Sequence, residues 1–413
     1  MSPTALTAAL LAAAGIAALV LPPLLPILAA VAVIGAAAGD ALLARRGVRV
    51  VRRVPELLSR GVPERYEARA GPSGDLVVRQ PTPADIRLEE SAGEGGLETR
   101  IVADRRGRHV LLPLATRRRG PLRLATHTGS AAGSQEILVY PDLPAARRIA
   151  MAARYSRYRD PGFRGRGPLG LGTEFEKVRD YEPDDDIRQV NWRATARLGR
   201  PMSNDFRLEE DRDLICVVDA GRLMAAPIGE VTRLDAALDA LAAVAAVADD
   251  LRDRLGVLAF DSEIRTRLSP VRQGGRHAVR ELFDLEPSGS QSDFRRAFHA
   301  LEAEKRAFVL LFTDLLEETA TRPLLEAIPV LARKHAVVVA TLVDPGLSAP
   351  LRTAPRRSAD VARQAVALEV IGARHRAGAA ISRVGARVVE APADQLGAAC
   401  VREYLNAKAR ARL

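Results

Sequence analysis

Residues 214–219, Leu-Ile-Cys-Val-Val-Asp, form an unbroken apolar run that ends on a carboxylate. A run of this length without polar alternation reads as a strand buried on both faces, as in a parallel sheet covered by helices. The downstream chain agrees with that reading. Residues 231–255 place Leu234, Leu238, Leu241, Ala245 and Ala248 on one helical face. The run 256–260 predicts a strand with a short hairpin partner near 264–268, and helical patterns cover 275–284 and 293–304. Ala-Phe-Val-Leu-Leu-Phe-Thr-Asp at 307–314 is a second buried strand. Further helix to about 334, the run 336–344, a helix over 358–380, the short strand 387–390 and a last helix from Asp394 complete the series. Alternating strands and helices predict a doubly wound α/β domain over 206–413. Ligands of such sheets bind outside the carboxyl ends of the strands, and Asp219, Asp314 and Asp344 all fall there.

Upstream, residues 172–197 (GTEFEKVRDYEPDDDIRQVNWRATAR) concentrate a tyrosine, the sole tryptophan, acids and arginines. Asp184, Asp185 and Asp186 come directly after Pro183, and Ile187, Val190, Ala194 and Leu198 recur at helical spacing until Gly199. The pattern predicts a helix with acids at its positive end and Arg193, Arg197 and Arg200 at its negative end. Trp192 lies off the apolar stripe. The plainest reading is a surface helix stapled to a neighbouring element by Trp192 and the arginines. Gly165, Gly167 and Gly170 spell G-x-G-x-x-G, but neither a preceding strand nor a following apolar helix supplies the context of a phosphate cradle.

Residues 6–43 are almost wholly Ala, Leu, Val, Ile, Gly and Pro. This exceeds the ~20 residues needed to cross a bilayer, and Pro22, Pro23 and Pro26 divide it, predicting a transmembrane hairpin within 1–46 (helices 4–21 and 24–44). Arg45, Arg46, Arg49, Arg52 and Arg53 come next and place both termini and the downstream chain in the cytoplasm by the positive-inside rule. The alternative is a cleaved signal peptide and export, against which the first residues lack Lys or Arg. From 47 to 145 short alternating segments with Gly/Pro punctuation predict a small antiparallel sandwich. Residues 146–205 are left as a connector carrying the motif.

The 413 residues carry a formal net charge of +10, which suits either nucleic acid or an anionic membrane surface. The arginines are dispersed among acids and aromatics make up only 4%, so neither a phosphate track nor a stacking platform is evident and no nucleic-acid partner is expected. Cys216 and Cys400 lie in apolar settings, and the six histidines are scattered singly, so neither a disulfide framework nor a zinc site is expected.

The motif Gly172-Thr-Glu-Phe175, Arg179-Asp-Tyr181, Pro183-Asp-Asp-Asp-Ile-Arg188 and Asn191-Trp192 through Arg197 resembles that of the bacterial family named for domain of unknown function 58 (DUF58). The likeness extends loosely over nearly the whole chain, including Val139-Tyr-Pro141 and the closing Tyr404-Leu405 helix. The resemblance implies a membrane hairpin, a β-rich region and a von Willebrand factor A-like domain, working with a MoxR-type AAA+ ATPase on an unknown client protein. It also implies a family-wide role for the motif, so Arg179, Tyr181, Asp184, Asp185, Asp186, Arg188, Trp192 and Arg197 are expected to face a partner or lock domains together.

An A-like domain further implies a metal-ion-dependent adhesion site, in which Asp-x-Ser-x-Ser, a second-loop hydroxyl and a third-loop Asp hold a divalent cation. Here Gly221 and Leu223 stand in the two serine positions, leaving Asp219, Ser292 and Asp314, with Thr313 beside the last. Oxygen ligands suit magnesium, calcium or manganese. Two readings stay open: waters complete a weakened sphere, or these residues cap strands and bind no metal. The expectation is a non-enzymatic assembly factor of the inner membrane. A metal-dependent hydrolase using Asp180 and Asp184 to Asp186 is the rival, weakened because consecutive residues on one helix start point apart.

Overall fold

The structure is a computed structural model describing residues 2–45, 48–71, 75–159, 174–182, 185, 190–207, 213–315 and 318–409. The Gly165–Gly172 stretch and the motif residues Asp184, Asp186 and Arg188 lie outside the described residues. The chain divides into two units, Met1–Tyr140 and Pro141–Leu413.

In the first unit β1 (Ser2–Pro3) precedes the apolar helices α1 (Ala5–Ala17) and α2 (Leu24–Ala44). Thr4 caps α1 by accepting from the Thr7 amide. Helix α2 has 21 residues and is long and apolar enough to cross a membrane. At 13 residues α1 falls short of the ~20 required, because residues 18–21 turn instead of extending the expected helix. Both helices expose large apolar side chains, among them Ile16, Leu24, Leu28, Val31 and Ile34.

Among the described residues eleven more strands follow in this unit: β2 (Val50–Arg53), β3 (Leu57–Ser59), β4 (Glu64–Ala70), β5 (Leu76–Arg79), β6 (Ile86–Leu88), β7 (Ala92–Glu94), β8 (Gly96–Ala103), β9 (Gly107–Leu111), β10 (Leu114–Arg119), β11 (Ala125–Ala131) and β12 (Gln135–Tyr140). They are ordered β1-β11-β10-β5-β7, β2-β4-β8-β6 and β3-β12-β9, antiparallel except for β3 against β12. Alternation builds the core: β8 buries Leu97, Thr99, Ile101 and Ala103 while Glu98 and Arg100 stay out. Leu58, Tyr66, Val78, Leu111 and Ile137 join that core from the other strands.

The second unit begins with α3 (Leu143–Arg159), β13 (Glu174–Asp180), α4 (Trp192–Leu198) and β14 (Met202–Arg207). It continues through β15 (Asp213–Asp219), β16 (Pro227–Ile228), β17 (Val231–Thr232), α5 (Arg233–Asp250), β18 (Arg254–Phe260), β19 (Ile264–Arg272), α6 (Gly274–Leu282) and α7 (Phe294–His299). It ends with β20 (Phe308–Phe312), α8 (Glu318–Ala332), β21 (Ala336–Leu342), α9 (Pro345–Ser348), α10 (Ser358–Arg383), β22 (Arg387–Ala391) and α11 (Ala393–Ala409). The expected connector is in part a packed element, since α3 lies against α5 and α11.

The six-stranded sheet runs β19-β18-β15-β20-β21-β22, parallel except for the edge strand β19. Val217, Leu258, Val309, Leu311 and Val339 face Phe298, Ile328, Leu331 and Ile381 in one cluster. On the other side α5 is buried along most of its length. Gly397 lets α11 approach, since a Cβ there would stand 3.2 Å from the Ala243 Cβ. The chain leaves β15 toward β18 on one side and returns to β20 on the other, so the switch in winding direction lies between β15 and β20. Asp219 and Asp314 sit at those two strand ends.

Candidate functional site

Asp219 is the last residue of β15 and is 3% exposed. Its Oδ1 accepts from the Gly221 amide at 2.8 Å and from Ser292 Oγ at 2.5 Å. Its Oδ2 accepts from Thr313 Oγ1 at 2.6 Å. Three loops therefore converge on one carboxylate, and backbone bonds knit them together: Ala220 N to Phe260 O, Arg222 N to Ser290 O and Asp293 N to Asp261 O. Burial pushes the Asp219 carboxyl above the ordinary carboxylate range, against the pull of the hydroxyls of Ser292 and Thr313 and the Gly221 amide. Gly221 has a steric reason to lack a side chain, because a Cβ there would collide with Ser292 Oγ.

Asp314 lies beside this group, and sequence reasoning did not foresee its partner. Arg233, the first residue of α5, is 3% exposed and donates from Nη1 to Asp314 Oδ1 at 3.0 Å. Arg374 of α10 approaches the same oxygen at 3.9 Å while donating to the Leu342 carbonyl. Burial raises the Asp314 carboxyl and outweighs both arginines. Asp314 Oδ2 is buried without a hydrogen-bond partner. The box in which the Thr232 hydroxyl and the Asp235 carboxylate each hold the other's backbone amide is legible in Thr232-Arg-Leu-Asp235. Nothing in that spacing announces that Arg233 turns inward.

The donor set passes the test for a small oxygen-seeking cation. Asp219, Ser292, Thr313 and Asp314 line a void of 20 Å³, together with Arg222, Leu223, Gln291 and Phe294; about one water fits such a volume. Ser292 and Thr313 give their protons to Asp219 and keep their lone pairs, and Asp314 Oδ2 is an acceptor with no donor. A cation bound there would supply a Lewis-acidic position for a carboxylate oxygen. Among the described residues no three His, Cys, Asp or Glu side chains converge on a metal position, so such a cation would depend on the hydroxyls. Arg233 and Arg374 already offset the two carboxylates, which lowers the attraction for a further positive charge.

The described motif residues, Arg179, Tyr181, Asp185, Trp192 and Arg197, lie elsewhere in this unit. Strands β13 and β14 pair antiparallel, and α4 is placed between them in sequence. Arg179 donates Nη1 and Nη2 to Asp185 Oδ2 and Oδ1 at 2.8 and 2.5 Å, and the Glu182 amide donates to Asp185 Oδ2 at 2.9 Å. Burial alone would raise the Asp185 carboxyl, but these donors hold it below the usual range. Tyr181 Oη reaches the Asp185 carbonyl at 3.4 Å.

The helix expected from the aspartates to Gly199 is interrupted at Val190 and Asn191, while residues 183, 184 and 186–189 lie outside the described residues. Val190 makes an isolated bridge to Ser203, and α4 starts only at Trp192, with Asn191 accepting from the Ala194 amide at 2.9 Å. An Asn in cap position and a carboxylate taken by Arg179 end the competition for the earlier start. Gly199 closes the helix at φ 68°, as expected. Trp192 is 67% exposed and Arg197 is exposed, whereas Arg179 and Asp185 are turned toward each other.

Residues 177–349 match the family described as protein of unknown function DUF58. The DUF58 match thus spans most of the motif and all of Asp219, Arg233, Ser292, Thr313 and Asp314, and leaves out the apolar helices and the β-rich unit. Among curated relatives, uncharacterized proteins Rv1480 of Mycobacterium tuberculosis and Mb1516 of Mycobacterium bovis are each 27% identical over 183 residues, 43% of this chain. The chain spans 56% of their length. Among solved structures, BatB from Bacteroides thetaiotaomicron is 14% identical with a TM-score of 0.34, over 48% of this chain and 99% of that one. An aerotolerance-related membrane protein from Bacteroides fragilis is 11% identical with a TM-score of 0.32, over 47% and 98%.

Proposed function

We propose that the protein is a membrane-anchored, non-enzymatic assembly factor whose second unit is a von Willebrand A-like interaction domain. The observation that carries this reading is the convergence of Asp219, Ser292, Thr313 and Asp314 around a one-water void at the switch point of the sheet. That is where an A-like domain engages a carboxylate of its partner through a divalent cation. The site is weakened here: two serine positions are Gly221 and Leu223, and two arginines compensate the carboxylates. Magnesium, manganese or calcium would bind it loosely, on the order of 10⁻³ M, the weak end for oxygen sites.

The partner is a MoxR-type AAA+ ATPase acting on a client protein. Exposed Trp192 on α4 supports a second contact, since an aromatic anchor of this size is the commonest interface hot spot. The reading as a hydrolase built on the acidic motif loses support from Asp185, whose carboxylate is committed to Arg179. Two-pass insertion in the inner membrane with cytoplasmic units requires the 13-residue α1 to complete its pass through the apolar residues 18–21 that follow it, and retention of the N-terminal segment is supported by its bonds to the β-rich unit. The test is co-purification of full-length protein with the ATPase in the presence and absence of ATP. Trp192→Ala and Asp219→Ala should each weaken capture by roughly tenfold or more. Capture of neither wild type nor variants in any nucleotide state would refute the partnership.

A further inference from the structure

The carboxylate of Asp40 lies one turn before the end of the apolar helix α2 and is 1% exposed. It holds three backbone amides of the β10–β11 turn: Leu122 N to Oδ1 at 2.8 Å, and Leu124 N and Ala125 N to Oδ2 at 2.8 and 2.9 Å. Gly120 in the same turn carries no side chain where a Cβ would collide with that carboxylate. The start of α1 is tied to the same place: Thr4 Oγ1 donates to the Arg123 carbonyl at 2.7 Å, Thr7 Oγ1 donates to the Leu124 carbonyl, and Ser2 and Pro3 pair with Thr126 and Ala125. The turn is therefore fixed at the foot of both apolar helices.

Length sets the depth. The 21 residues of α2 measure about 32 Å at 1.5 Å each, close to the ~30 Å hydrocarbon thickness. With α2 across a bilayer, Asp40 and the turn it grips lie at the boundary between acyl chains and headgroups. The side chains presented there suit that boundary. Leu122 is an apolar tip, 57% exposed, and Arg117 and Arg119 on the strand that leads into the turn and Arg123 beside Leu122 are exposed, Arg123 with Asp75 at 3.4 Å.

We infer that the β10–β11 turn is a bilayer-contact element, with Leu122 entering the interface and Arg117 and Arg119 meeting anionic lipid headgroups. The inference rests on the membrane reading above and adds to it a second, lipid-selective contact made by the β-rich unit. Basic residues near such a surface are attracted to anionic lipid and bury their stems in the interface. A solvated tether would need neither the buried Asp40 nor an apolar residue at the tip.

The test uses full-length protein in proteoliposomes, with Leu122→Cys carrying an environment-sensitive fluorophore and Arg65→Cys as a surface control in another sheet. Cys216 and Cys400 are buried and burial pushes both thiols up, so the introduced thiol labels selectively. Nitroxide lipids should quench the probe at 122 and spare the one at 65. Quenching should be stronger in vesicles containing phosphatidylglycerol than in phosphatidylcholine, and the difference should vanish in Arg117→Glu/Arg119→Glu. Protein that floats with vesicles while the probe at 122 behaves like the control overturns the inference and leaves the anchor standing. Protein that does not float overturns the anchor, and the inference with it.

Discussion

Arg233 and Asp314 form a buried ion pair at 3.0 Å, and Asp314 also lines the void at the end of the sheet. A guanidinium is a strong, always charged donor, and here it occupies one carboxylate oxygen and leaves the other free. Removing a single partner strands a buried charge. Arg233→Met should cost about 3–5 kcal/mol by urea unfolding, and Arg233→Met/Asp314→Leu should recover most of it. Equal losses in the single and the double variant would show that the pair contributes nothing beyond packing.

A serine at position 221, where the proposed adhesion site would call for one, should harm the protein. In Gly221→Ser the new Cβ meets Ser292 Oγ, and overpacking of this kind costs about 1–3 kcal/mol. Ser292→Ala in the same chain should relieve the strain by removing the hydroxyl. A Gly221→Ser protein of wild-type stability with tighter manganese binding would mean that the loop adapts and that glycine is not sterically required.

Cation binding can be read by calorimetry on the full chain. Weak heats with magnesium or manganese should disappear in Asp219→Ala and persist in Asp344→Ala, whose carboxylate caps α9 and does not line the void. Binding unaffected by Asp219→Ala would place the ion elsewhere.

Acid should loosen the motif. The Asp185 carboxyl is held below its unfolded value by Arg179, so the pair stabilises the fold above the unfolded pKa and that contribution is lost as pH falls through the folded one. The sole tryptophan lies nearby in sequence and is exposed, so emission of Trp192 should report the change at pH below about 4. In Arg179→Gln the transition should move up toward the ordinary carboxylate range.

His335 also weakens the fold in acid, but because the fold favours its neutral form. Its Nδ1 accepts from the Ala307 amide at 3.2 Å, and burial, with Lys334 nearby, lowers its pKa. The unfolded state then binds the proton more readily, so stability falls as pH drops below about 6.5. His335→Gln keeps an acceptor for Ala307 and should flatten the melting temperature between about pH 5 and 7.

The sheet was legible because its strands are uninterrupted apolar runs, such as 214–219 and 307–314, and because helical periodicity separates them. The loop ends were legible too: Asp219, Ser292, Thr313 and Asp314 do meet. Arg233 was not, since an arginine in a helix's first turn is exposed in most proteins and its inward turn depends on a partner 81 residues away. The start of α4 was missed for a related reason. Three aspartates and Asn191 all suit an N-cap, and only the position of Arg179 decides which carboxylate is spent elsewhere. Asp40 is the one charged residue in the apolar run 6–43. Its role depends on a turn 82 to 85 residues downstream, a distance over which no periodicity reaches.

Three amides gripped by one carboxylate also set the rotational phase of α2. Turning the helix about its own axis would break all three bonds at once, so the face it offers to lipid or to a neighbouring helix is dictated by the β-rich unit. A torque on the β-rich sheets is then transmitted into α2 as twist.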